Sequence, residues 1–318
     1  MKRQLIRQHN AITEARYDMS ALGKNIFYIL LAQLRGEDLN LKKKIYRISV
    51  KSLSEIQGKA IEHIQFKRTA KKLLEQVIYV PLGAGKFTQV NLVSSSEYIR
   101  GKGTIEIELS EKIRDFLFHI NKNFTEFELH EALLLKSKYA KRMYEMLCQY
   151  KDTGIFIINI DELKARLSMV DPQTKKDKYP KYGLLRAKVL DIVQKEINEK
   201  TTMYFDYTVV KTGKRFSHLK FKIKGNSKSN VILHTTNHEP TSAPQASIYE
   251  KLTNKYKLSP WQAKSIIKGV PLDEINKTVY DIQLEVINNK VRNLGGYTAK
   301  VFDKKYNLGL WKTDQRDF

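Results

Sequence analysis

The chain has 318 residues and a formal net charge of +23, from 57 lysines and arginines against 34 acidic residues; a charge this large costs self-repulsion and points to a polyanionic partner. With 42% hydrophobic and 10% aromatic residues it can bury real cores, which excludes a disordered chain and leaves room for two or three domains. No apolar run nears the ~20 residues of a membrane span, Met1–Gln8 has no apolar stretch behind its charges, and one cysteine excludes a disulfide framework, so a cytoplasmic protein without a membrane partner is expected.

The first helix is predicted from about Ser20, its N-cap, along Leu22, Ile26, Ile29, Leu30 and Leu34, and Gly36-Glu37-Asp38 ends it. Alternation over Lys44–Val50 gives a short strand, and a brief helix starts at Ser52 or Ser54 and stops at Gly58. Ile64–Ile78 is a stronger helix: Phe66, Ala70, Leu73, Leu74 and Val77 share one face, and Lys67, Arg68, Lys71 and Lys72 stand opposite. Val77–Leu82 and Phe87–Val93 flank Gly83-Ala84-Gly85-Lys86 and form a hairpin. Thr104–Leu109 is a strand with Glu106 and Glu108 toward solvent, and a helix follows from Ser110 to about His119.

Phe127–Tyr150 is expected to be mostly helical, with Cys148 a buried helix residue, until Asp152-Thr153-Gly154 stops it. Ile155–Ile160 is an apolar strand. A short helix, a break at Asp171-Pro172 and a longer helix over 182–200 come next. Two β-rich runs, Met203–Val210 and Arg215–Ile223, are joined by Lys211-Thr212-Gly213-Lys214. Short helix, turn, longer helix and basic hairpin is the order of a winged helix-turn-helix, whose second helix enters a DNA groove. Gly225–Ser247, rich in Ser, Asn, Thr, His and Pro, reads as a linker. A helical tail follows: Ser259-Pro260 starts one helix and Gly269 closes it, then Leu272, Ile275, Val279, Ile282 and Val286 stripe the next until Gly295-Gly296 break it. From Thr241 onward there are 13 basic and 8 acidic residues, so about +18 of the charge precedes the linker.

The chain contains an internal echo. Ile48–Leu53 parallels Ile158–Leu163, residues 69–78 parallel 186–195 in pattern, and each helix leads to a hairpin whose turn carries Gly-Lys, at Gly85-Lys86 and Gly213-Lys214. The fold class is therefore α+β: two tandem winged-helix domains, each a helix-turn-helix plus β-hairpin, at 1–125 and 126–225, a linker at 226–247, and a small helical C-terminal module at 248–318.

In the second domain Leu185, Val189, Ile192, Val193 and Ile197 can face the core. Lys181, Lys188 and Lys195 lie along one stripe with Gln194 and Asn198 beside it. If the helix enters DNA by its first turns, Tyr179, Lys181, Tyr182 and Arg186 lie nearest the bases. Arg186 has the fork geometry for guanine, whereas lysines suit phosphates. Tyr182 is expected to be packed more than to read DNA. Lys211, Lys214 and Arg215 supply the hairpin, and the first-domain equivalents are Gln65, Lys67, Arg68, Lys71, Lys72 and Lys86.

Four pieces in order resemble the plasmid replication initiators of the Rep_3 type: His9–Ser20, carrying Arg16-Tyr17-Asp18; Ser52–Gly58 with Phe66–Leu74; Ser137–Tyr144; and Tyr182–Val189 with Glu196-Ile197-Asn198, Lys211–Arg215 and Leu219-Lys220-Phe221. The resemblance covers roughly residues 5–224 and leaves out the tail. It implies binding to short repeated double-stranded DNA sites (iterons) at a plasmid origin, origin opening, and recruitment of a host replication initiator, helicase or primase. It also implies a monomer–dimer equilibrium through the first domain, with the dimer repressing its own gene. A winged-helix repressor without initiator role, or a DNA-nicking initiator enzyme, are the alternatives.

No cofactor, metal or catalytic site is expected. Gly83-Ala84-Gly85-Lys86 has one residue between its glycines where a phosphate loop has four, and Phe87 follows the lysine in place of Ser/Thr. His234 and His238 sit in the linker without a third ligand. No His-x-His pair occurs for a nicking metal site, and the 17 tyrosines identify no nucleophile.

Overall fold

A computed structural model describes residues 4–35, 45–57, 60–83, 86–99, 101–117, 123–213, 215–225, 248–249, 251–271, 274–275, 278–279, 281–282, 285 and 293–310. The chain divides into two compact units, Met1–Val231 and Ile232–Phe318. The linker residues 226–247, with His234 and His238, lie outside the described residues.

The larger unit begins with β1 (Leu5–His9) and α1 (Asn10–Glu14). Ser20 accepts the Gly23 amide at 3.1 Å and starts α2 (Ala21–Arg35), as its spacing predicts. Then come β2 (Ile45–Ser49), α3 (Val50–Gln57) and α4 (His63–Leu74). α4 buries Phe66, Ala70 and Leu73 and ends earlier than the sequence suggested, because β3 (Val77–Gly83) draws Val77 and Ile78 into a ladder with β4 (Lys86–Asn91). Next are β5 (Val93–Ile99), β6 (Thr104–Leu109) and α5 (Glu111–Arg114), which the sequence drew longer; residues 118–122 are outside the described set. Phe127 was expected in a helix. It lies instead in β7 (Phe124–Glu128), whose alternate burial pairs it antiparallel with β1. α6 (Leu129–Leu134) and α7 (Lys138–Gln149) complete this part, with Cys148 buried on α7 and its thiol pushed up by that burial.

Gly154, at φ +68°, turns the chain after α7 into β8 (Ile155–Asn159). The Asn159 side chain caps α8 (Ile160–Arg166). The helix over 182–200 follows, made of α9 (Tyr182–Leu185), a π-helical turn (Arg186–Leu190) and α10 (Asp191–Lys200), and then β9 (Met203–Thr212) and β10 (Arg215–Gly225).

Two three-stranded sheets run in equivalent orders, β2-β6-β5 and β8-β10-β9, each with the strand before its short helix paired to the last strand. The equivalence corrects one sequence expectation. The counterpart of the β9–β10 wing is β5–β6, with its turn at Gly101–Gly103. The hairpin β3–β4 is a separate two-stranded insertion, so Lys86 stands on the insertion and not on the matching wing. Matching Gly85-Lys86 to Gly213-Lys214 failed because a Gly-Lys turn fits any hairpin, whereas the ladder defines the counterpart.

A charged cluster lies where the N-terminal segment, α2 and α7 meet. Glu145 is fully buried, ion-paired to Lys24 and to Arg142 Nη1 (2.5 Å), and accepts the Tyr28 hydroxyl at 2.6 Å. Arg142 also donates to Tyr17 Oη (2.6 Å) and to the Thr13 and Ala15 carbonyls (3.0 and 2.8 Å). Burial alone would raise the Glu145 carboxyl, but Lys24 and Arg142 hold it below the usual carboxylate range. Tyr17, Arg142 and their neighbours in the family-like motifs therefore fasten the first part of the unit onto α7.

Lys141, also on α7, is fully buried, donates Nζ to Ala132 O at 2.5 Å and lies 5.4 Å from the Tyr28 ring centroid. Burial, then the charge of Lys24, push its pKa down to about 7. Between that value and the ordinary 10.5 the unfolded chain holds the extra proton, so stability rises with pH across this window. Lys141→Met is expected to flatten the rise by about 1 kcal/mol per pH unit between roughly pH 7.5 and 9 in urea denaturation. Parallel slopes for parent and variant would mean that Nζ keeps its water.

In the smaller unit Ser259 and Gln262 form a reciprocal capping box on the helix Pro260–Gly269, as the Ser-Pro signal predicts. Ile275, Val279 and Ile282 of the predicted stripe are buried with Leu252, Tyr256 and Phe302; Leu272 and Val286 lie outside the described residues. Gly295-Gly296, expected to break the preceding helix, lie in the first turn of a further helix, Leu294–Tyr306. A Cβ on Gly295 would stand 2.5 Å from Lys257 O, so the glycine is required by close backbone approach.

Candidate nucleic-acid interface

The helix over 182–200 buries Leu185, Val189, Leu190, Val193 and Ile197. A run of four-residue steps drifts off one face of a straight α-helix; the π-turn takes up the extra residue and keeps the row on the core. The same shift corrects the place of Ile192, which is 51% exposed while Leu190 fills the core. Gln194 and Asn198 also leave the lysine stripe. Gln194 Nε2 donates to Phe205 O (3.2 Å), and Asn198 bonds the Phe205 backbone in both directions, Nδ2 to O and N–H to Oδ1, each at 2.9 Å. They clamp the helix to β9.

Lys181, Arg186, Lys188 and Lys195 remain exposed on the outer face. Tyr182 is half-buried, its ring 4.5 Å from that of Phe216 on the wing, and Lys211 Nζ lies 5.1 Å from the Phe216 centroid. This tyrosine fixes the start of the helix against the wing at a bulge in the β9–β10 ladder. Arg186 Nε stands 3.4 Å from Asp191 Oδ2, and Asp191 also accepts the Tyr207 hydroxyl. Burial, then the hydrogen bond to Asp191, raises the Tyr207 phenol and keeps it a donor. An ion pair this exposed holds the guanidinium weakly, so Arg186 can exchange it for a ligand. Lys211 and Arg215 are exposed on the wing, and Lys214 lies outside the described residues.

In the first winged part, α4 exposes Gln65, Lys67, Arg68, Lys71 and Lys72. An open cleft of about 500 Å³ runs between the start of α2 and α4, lined by Ser20, Gln65, Arg68, Lys71 and Lys72 among others. The wing turn sits beside the start of α4, as its counterpart does in the second part: a Cβ on Gly103 would meet His63 Cε1 at 2.6 Å, and His63 Nδ1 is 2.8 Å from Tyr98 Oη.

Two family models match this arrangement in order: an initiator replication protein WH1 model over residues 5–148 and an initiator Rep protein WH2 model over residues 159–223. The chain belongs to the Rep_3 family of plasmid replication initiators. Its fold is two tandem winged-helix domains. A curated relative described as a probable replication protein rep, from Bifidobacterium longum, is 30% identical over 133 residues, 39% of this chain and 44% of the relative. An uncharacterized 27.6 kDa protein of Escherichia coli is 23% identical over 222 residues, 66% of this chain and 91% of that protein. Among solved structures, a Pi initiator protein in complex with iteron DNA shares the fold at a TM-score of 0.60 and 22% identity, covering 71% of this chain and 99% of that one.

Within this Rep_3 chain the predicted residues form two groups. Lys181, Tyr182, Arg186, Lys188, Lys211 and Arg215 gather on the helix and wing of the second domain, and Gln65, Lys67, Arg68, Lys71 and Lys72 on α4 of the first. Lys86 stands apart on the inserted hairpin. Sequence reasoning passed over Lys102, exposed in the true first wing turn, and Lys175 and Lys176, exposed just before the second recognition helix. The signals were present: a Gly-Lys-Gly turn and a run of lysines ahead of a helix. Among the described residues no group of three His, Cys, Asp or Glu is placed to hold a metal ion, and no helix is long and apolar enough to cross a membrane.

Proposed function

We propose that this protein initiates plasmid replication by binding repeated double-stranded DNA sites (iterons) at an origin with both winged-helix domains, opening the origin and recruiting host replication proteins. The observation that carries it is the pair of recognition helices, 182–200 and α4, each outwardly basic and each beside its own wing. Family membership and the fold shared with an initiator crystallised on iteron DNA support it. The two heads are expected in successive major grooves on one face of the duplex. The protein acts in the cytoplasm. A monomer–dimer equilibrium through the first domain, the dimer repressing its own gene, completes the scheme.

A footprint on DNA flanking the gene tests the core of this: tandem protected repeats are expected, and a single operator-like site would favour a plain repressor. The protein binds without catalysis, so supercoiled DNA incubated with it and Mg²⁺ should stay un-nicked; a nicked product would reinstate an enzymatic initiator. Arg186 is assigned to a base and the lysines to phosphates. Arg186→Ala should therefore lose discrimination by about 1–3 kcal/mol while binding scrambled DNA much as the parent does. Equal losses on both DNAs would reassign Arg186 to the backbone.

A further inference from the structure

We propose that the first turns of the 182–200 helix read thymine 5-methyl groups through Leu184 and Ala187, and that Gly183 is there to let the helix backbone come close to the DNA. The proposal rests on the DNA-binding function above and specifies how that site tells bases apart.

Gly183 is the second residue of the helix, outside the left-handed region, and a Cβ there would meet no atom within 4 Å. Gly103 and Gly295 differ: a Cβ on either would collide with His63 or with Lys257 O. Among the described residues nothing therefore requires glycine at 183, although alanine would suit the helix at least as well. The requirement lies outside the chain, where an approaching surface leaves no room for a side chain.

The adjoining residues identify that surface. Leu184 is 45% exposed while Leu185 is fully buried, and Ala187 is exposed. Spacings of three and four residues put Gly183, Leu184 and Ala187 on neighbouring positions of one face. Lys181, Arg186 and Lys188, all exposed, flank them. An apolar spot bordered by cations, on a helix that protrudes beside a wing, matches a thymine methyl bordered by phosphates in the major groove.

The test uses the full chain. A duplex is selected from a random pool, and each thymine in it is replaced in turn by deoxyuridine, which lacks the methyl group. Loss of one buried methyl is worth about 4-fold in affinity. The parent should weaken by about that factor at one or two positions, and Leu184→Ala should be nearly indifferent at one of them. Gly183→Ala should lose about 10-fold or more on the selected duplex while melting no lower than the parent. Deoxyuridine losses equal in parent and Leu184→Ala, or Gly183→Ala binding at parental strength, overturn the base-reading face alone. Failure of the parent to enrich any sequence overturns the function above together with it.

Discussion

Glu145→Gln is expected to destabilise the protein by about 3–5 kcal/mol, the cost of leaving buried cations without their counter-ion. The glutamine keeps the volume but sets an NH2 donor where one carboxylate oxygen accepted, so the lost charge and one lost acceptor act together. Lys24 and Arg142 would then stand at 0% and 4% exposure without a carboxylate. Lys24 already shows the strain of its place: burial pushes it down to about 8 in spite of Glu145. Adding Lys24→Met to Glu145→Gln should recover part of the loss, since one orphaned cation disappears with its partner. Urea midpoints of the two single variants and the double variant decide it; a single-variant loss below about 1 kcal/mol would show that water reaches the cluster. The depressed Glu145 carboxyl is charged in the folded protein throughout the neutral range. Its contribution is fully present above the ordinary carboxylate pKa and is lost as pH falls through its lower folded value.

Binding to the selected DNA site is expected to weaken by about 10³–10⁵ between 50 and 200 mM salt, the loss that follows when some six to ten phosphates are neutralised and their counter-ions released. The candidate contacts are Lys67, Arg68, Lys71 and Lys72 on the first domain and Lys181, Lys188, Lys211 and Arg215 on the second, all exposed. The ion pair Lys71–Glu75, at 3.8 Å on the surface, holds too weakly to compete with a phosphate. Removing one phosphate contact, as in Lys188→Ala, should lower the slope of log affinity against log salt by about one and leave sequence preference unchanged. A nearly flat salt dependence of the parent would end the DNA-binding function, whatever the fold.

Much of the fold was legible because its signals are local. Ser20 and Ser259 cap where a hydroxyl one residue ahead of an apolar period predicts, and alternation over 104–109 gives β6 as drawn. β7 was missed because five alternating residues run directly into a helix, and their partner, β1, lies 115 or more residues away in sequence. The first wing was misassigned for a related reason: two hairpins follow α4, and only the pairing of β2 with β6 tells which one closes the sheet. Ile192 and the pair Gln194 and Asn198 were placed on the wrong faces because a straight helix was assumed; the π-turn at Arg186–Leu190 has no local marker in the sequence.

The sequence by itself determined the charge, most of the helices, the doubling of the winged-helix pattern, and many of the residues from which a DNA-reading face could be built. Each of these is a matter of composition or of neighbours within a few positions, where periodicity and capping act. Only the tertiary structure decided why Tyr17, Arg142 and Glu145 accompany that pattern, which basic residues share a surface, and that a Cβ on Gly183 would meet none of the described residues. Those facts depend on what approaches from elsewhere, and burial of a charge, the pairing of a ladder and an empty space beside a Cα are properties of contacts between distant segments.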